Sequence, residues 1–120
     1  MKKDAIDKTE NEILKERAEV LGRAGEYLSK ALTQLKGIEN SIDAKLASGV
    51  FTKEALREIN SEIRKYNRAR EYAKLRYYYL IVTREAVGFR RHTSVEENYK
   101  IPPRKKPLKR FEWTGIKNND

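Results

Sequence analysis

The chain has 120 residues and no cysteine, which bounds it to one domain and excludes disulfides, thiolate metal sites and cysteine nucleophiles. Apolar and charged residues each make up 38 %, a lean balance that suits long amphipathic helices better than an ordinary globule. The net charge of +9 lies wholly in the second half: residues 1–51 carry nine basic and nine acidic residues, residues 52–120 carry 18 and nine, so a neutral scaffold is followed by an arm suited to an acidic surface.

The first element is a long helix. Leu14, Leu21, Leu28, Leu35 and Ile42 recur every seven residues, and Ala18, Ala24, Ala31, Ile38 and Leu46 fill the neighbouring positions of the same face. Thr9-Glu10-Asn11-Glu12 reads as a capping box, with Thr9 as N-cap and Glu12 three residues on, so the spacing predicts a helix over about residues 10–47. Ala47-Ser48-Gly49 ends it, because Gly49 is free to take the left-handed conformation of a helix stop.

A second stripe follows in Ile59, Tyr66, Ala73, Leu80 and Val87, flanked by Leu56, Ile63 and Tyr77, and predicts a helix over about residues 53–87. Thr52 is its expected N-cap, with Phe51 and Leu56 at the spacing of a hydrophobic staple, and Gly88 its stop. The stripes mirror each other about the turn: Leu14 faces Val87, Leu21 faces Leu80, Leu28 faces Ala73, Leu35 faces Tyr66 and Ile42 faces Ile59. That is the register of an antiparallel hairpin. Gly22 and Gly25 are costly in a helix, and the register sets them beside Tyr77, whose ring they would admit; a local break in the first helix is the other reading.

From Tyr72 to Val82 the second helix is apolar or aromatic all round, so one partner helix covers only part of it. Tyr72, Leu75, Tyr78, Tyr79 and Val82 are therefore expected to form a homodimer interface that makes a four-helix bundle. After Gly88 a short helix is expected over about residues 95–100, opened by the box Ser94–Glu97, and Ile101-Pro102-Pro103 then imposes extended backbone. The expected architecture is all-α: a coiled-coil-like two-helix hairpin over residues 1–88, then a short third helix and an extended basic tail over 89–120.

Three groups of residues are candidates for function. Arg104, Lys105, Lys106, Lys109 and Arg110 form a basic run followed by Trp113, a composition that meets phosphates through its cations and bases through its ring. The same run reads equally as a solvated or structural tail, with Leu108, Phe111, Trp113 and Ile116 packed on the hairpin. Arg17 and Arg84 face one another in the predicted register and, with Arg90, Arg91 and His92, make a candidate anion site; carboxylates of Glu85, Glu96 and Glu97 are the internal alternative. Arg70 likewise occupies the seam and needs a partner there.

No nucleophile–base pair, Gly-rich phosphate loop or inward Glu-x-x-His pair is present, and the single histidine makes a poor metal site, so neither enzyme, cofactor nor metal is expected. The start Met1-Lys2-Lys3-Asp4 leads into no apolar run, and the longest uncharged apolar stretch, Tyr77–Thr83, is far short of the ~20 residues of a membrane span. The expectation is a cytoplasmic, non-catalytic interaction protein: a dimeric hairpin whose basic tail meets an acidic protein or nucleic acid. Two alternatives are a purely structural bundle whose tail packs on its own or its partner's hairpin, and an anion or phosphate-ligand binder at Gly22, Gly25, Tyr77 and Arg84.

Overall fold

The computed structural model describes residues 2–50 and 52–109, with side chains from residue 7 onward. Three helices occur in order: α1 over Lys2–Ala47, α2 over Lys53–Ala86 and α3 over Thr93–Asn98. The described residues contain no strand, and the two long helices pack against each other.

α1 begins at least seven residues before the expected cap, so Thr9 lies within the helix. The Thr9 box is a local signal, and it loses because the residues before it, rich in Lys, Asp and Ala, continue a helix without penalty large enough to stop one. α1 also runs unbroken through Gly22 and Gly25. Neither glycine is needed to admit a ring: a Cβ at Gly25 would lie at ordinary contact distance, 3.7 Å, from the Tyr99 hydroxyl, and one at Gly22 would meet nothing within 4 Å.

The turn follows the expected chemistry. Gly49 takes φ +73°, the Ser48 hydroxyl donates to Lys45 O at 2.7 Å, and the Ala55 N–H donates to Thr52 Oγ1 at 3.0 Å, which satisfies one open donor of α2. The staple partner Phe51 lies outside the described residues. α2 stops in a Schellman motif: Gly88 has φ +103°, its N–H donates to Glu85 O at 3.0 Å, and the Phe89 N–H donates to Arg84 O at 2.9 Å. α3 starts two residues earlier than the Ser94 box implies, with His92 as N-cap and no side-chain cap.

The chain forms two compact units. One comprises Ala31–Lys74 with the chain from Ile101 and contains the turn. Its core is Leu35, Ile42, Ile59, Ile63 and Tyr66, with Ile38, Leu56 and Leu108 packed against it. Both members of two mirrored pairs, Leu35 with Tyr66 and Ile42 with Ile59, belong to this one buried cluster.

The other unit comprises the chain to Lys30 with Leu75–Lys100. It buries Leu28, Leu80 and Val95 and little else. Leu14, the first member of the predicted stripe, is 61 % exposed, and Ile13 and Val20 are exposed too. Ile101–Lys109 clusters with the turn-containing unit.

Candidate functional site

Residues 102–108 are seated on α2 by a set of polar contacts. Arg70 Nε donates to Pro102 O at 2.7 Å, and the Tyr66 hydroxyl donates to Pro103 O at 3.2 Å. Asn67 binds Lys105 twice: its Nδ2 donates to Lys105 O at 2.8 Å, and the Lys105 N–H donates to its Oδ1 at 2.9 Å. Asn60 repeats the pattern with Leu108, at 3.0 Å and 2.8 Å.

Geometry explains the repeat. Asn60 and Asn67 are seven residues apart, about 10.5 Å along a helix at 1.5 Å per residue. Three residues of extended chain, Lys105 to Leu108, span about 9–10 Å. One asparagine every two turns therefore meets every third residue of a strap running antiparallel to α2. Pro102, Pro103 and Pro107 have no N–H and leave no donor to satisfy.

Charge reinforces the seat. Lys105 Nζ lies 3.4 Å from Glu39 Oε2 and 4.9 Å from the centre of the Tyr66 ring, and Arg104 Nη1 lies 3.5 Å from Glu71 Oε1. Arg70 has its seam partner in the same place, with Nη1 3.1 Å from Glu71 Oε1. The Lys36 ammonium, hydrogen-bonded to Glu39 at 3.0 Å, holds the Glu39 carboxyl below its ordinary 4.5, with Lys105 helping and burial opposing; the same bond raises Lys36. Burial pushes the Tyr66 phenol up, with Glu39 adding to it, so the hydroxyl remains a donor to Pro103.

A carboxyl depressed on folding stabilises the native state above its unfolded pKa, and that contribution fades as pH falls through the folded pKa. Stability is thus expected to drop between about pH 5 and pH 3, and Glu39→Gln should remove about 1 kcal/mol or less of that drop. Thermal melts of both chains at neutral and acid pH check it.

The basic run is therefore divided. Arg104 and Lys105 are engaged on the hairpin, Lys106 is exposed, and Arg110 and Trp113 lie outside the described residues. Asn60 and Asn67, which do most of the holding, escape a reading based on hydrophobic period and charge. Two asparagines a heptad apart inside a helix, where asparagine is a poor former, are the signal that could have found them.

Of the five candidate anion residues, Arg84, Arg91 and His92 are brought together. Arg84 Nε donates to His92 Nδ1 at 3.2 Å and Nη2 donates to Arg91 O at 3.0 Å, with the guanidinium carbon 4.6 Å from the Phe89 ring centre. The other ring nitrogen, Nε2, lies 3.1 Å from Glu85 Oε1. His92 thus fills the place expected for a carboxylate against Arg84. Arg17 lines a separate shallow groove with Ile13, Val20, Val82 and Val87, and Arg90 lines another with Glu85 and Phe89.

A third groove, of about 500 Å³, is lined by Gly22, Gly25, Leu80, Arg84, Val95 and Tyr99 among others. Tyr77, expected there, is not among its lining residues. The five candidate interface residues, Tyr72, Leu75, Tyr78, Tyr79 and Val82, are all exposed, between 42 and 60 %.

Among the described residues no group of three or more acidic, His or Cys side chains could hold a metal ion, and no helix is long and apolar enough to cross a membrane. No protein-family model, curated protein or solved structure matches the chain.

Proposed function

We propose that this chain is a non-catalytic scaffold that works by pairing with a second copy of itself through α2. The observation that carries the reading is the half-exposed series Tyr72, Leu75, Tyr79 and Val82, with Tyr78 beside it. Its steps of three, four and three residues repeat the heptad spacing of a helix seam, on a different face from the buried Ala73 and Leu80. A stripe of that period fits a straight apolar helix, and a second α2 supplies one with the same stripe. Two copies would bury both stripes at once and close a four-helix bundle. Tyrosine suits such a place, because its ring carries the apolar contact and its hydroxyl stays at the rim.

Sedimentation equilibrium tests the proposal. The unmodified chain is expected to be dimeric at micromolar concentration, and Tyr78→Glu with Val82→Glu monomeric with its helix content retained. A monomeric unmodified chain would overturn it.

The expectation of an acidic partner, protein or nucleic acid, rests on Lys106, which is exposed, whereas Arg104 and Lys105 are engaged with Glu71 and Glu39. Contacts of this kind would read phosphates rather than bases, so oligonucleotide binding should weaken steeply with salt. No binding at low salt would leave the basic strap as a structural part of the hairpin.

A further inference from the structure

We propose that the face of α2 from Asn60 to Arg70 is a binding site for an extended, basic, proline-containing peptide, and that the peptide it takes in trans is residues 101–109 of a second copy. Six backbone groups of the strap are held by four side chains of this face, namely Arg70, Tyr66, Asn67 and Asn60. Paired contacts from one amide to both the N–H and the C=O of a residue recognise peptide backbone as such, in the way a sheet edge does, without forming a sheet. They ask of the ligand only an extended course with free N–H groups at two positions three apart, which Pro102, Pro103 and Pro107 punctuate without blocking.

The rest of the specificity is charge and one apolar side chain. Glu39 and Glu71 meet Lys105 and Arg104, and Leu108 packs against the buried cluster of Leu35, Ile42, Ile59, Ile63 and Tyr66. Every one of these contacts would be the same if the strap came from another molecule. A second copy supplies a strap with identical charges and prolines for each site that is vacated.

The chain also provides for the exchange. α3 ends at Asn98 and no regular structure joins it to Ile101, while the strap clusters with Ala31–Lys74 and the residues just before it cluster elsewhere. Exchange of a terminal segment at such a joint conserves all its contacts and is a low-cost route to association. The site is separate from the stripe of Leu75, Tyr79 and Val82, so the variant Tyr78→Glu, Val82→Glu should leave strap binding unchanged, and the two proposals fail independently.

The test uses full-length chains. Lys105→Pro with Leu108→Pro removes both N–H donors of the strap and leaves the site vacant. A fluorescent synthetic peptide of residues 101–110 is expected to bind this chain saturably. The same peptide N-methylated at Lys105 and Leu108 should bind at least about tenfold more weakly, having kept every charge and lost both donors. Mixing the strap-disabled chain with a site-disabled one, Asn60→Ala with Asn67→Ala, should give a 1:1 complex absent from either alone, with Tyr78→Glu and Val82→Glu present in both. Should the proline variant fail to fold, a protease site placed between Lys100 and Ile101 and cut in the folded protein vacates the same face for the same peptides. Equal binding of the N-methylated peptide, or no binding of the unmodified one, would overturn the site; peptide binding without the 1:1 complex would overturn the second copy as its source.

Discussion

Replacing Tyr66 by alanine is expected to destabilise the chain by about 3–5 kcal/mol, the usual cost of deleting a buried aromatic ring, while Tyr66→Phe should cost only about 1 kcal/mol. The ring is 1 % exposed and shares one cluster with Leu35, Ile42, Ile59 and Ile63. It is also the floor under Lys105, whose ammonium sits 4.9 Å from its centre, and its hydroxyl reaches Pro103 O. Alanine removes all three and leaves a void between the long helices. Phenylalanine keeps the packing and the ring face and loses one hydrogen bond, whose carbonyl partner can turn to water. Urea unfolding followed by circular dichroism measures both. A Tyr66→Ala cost near that of Tyr66→Phe would mean that the ring is not what joins strap and core.

The residues that were legible in the sequence are those whose partners are close along the chain or related to it by period. Thr52 bonds three residues ahead, Gly49 and Gly88 act on the turn in which they sit, and the stripe through Leu35, Ile42, Ile59 and Tyr66 is fixed by heptad spacing and the mirror imposed by a short turn. The partner of Gly25 was not legible, because Tyr99 reaches it from beyond α3, 74 positions away, and no period links the two. Nor was the exposure of Leu14: spacing alone enrols it in the stripe opposite Val87, yet it is 61 % exposed. The candidate site was half legible. The run of Lys and Arg and the prolines marked the segment, and Arg70 in the seam marked one of its anchors. The asparagines were silent, since an amide has neither hydropathy nor charge to register, and what each recognises is backbone 48 or 38 residues on, present in any sequence.

Asn60→Ala and Asn67→Ala are each expected to cost about 1–2 kcal/mol, and the double substitution about 2–3 kcal/mol, less than the sum of the two. Each asparagine makes two hydrogen bonds to the strap, at a net value of about 0.5–1.5 kcal/mol apiece. Against this, alanine is the better helix former by about 0.5 kcal/mol, so the gain in α2 offsets part of each loss. The shortfall from additivity follows from the strap acting as one piece. Once Lys105 has left Asn67, the ordering of the segment between Pro103 and Leu108 must be maintained by Asn60 alone, and the entropy released on detachment grows with every residue freed. The second asparagine then has little left to hold, and Leu108 leaves the core with it. Amide hydrogen exchange on the four chains locates the effect: in either single variant the Lys105 and Leu108 N–H groups should lose protection together, while those of Ile59 and Ile63 within α2 keep theirs. Strict additivity, with Leu108 still protected in Asn67→Ala, would show instead that each asparagine anchors its own residue, and the strap would be two separate contacts rather than a ligand that binds and leaves as a unit.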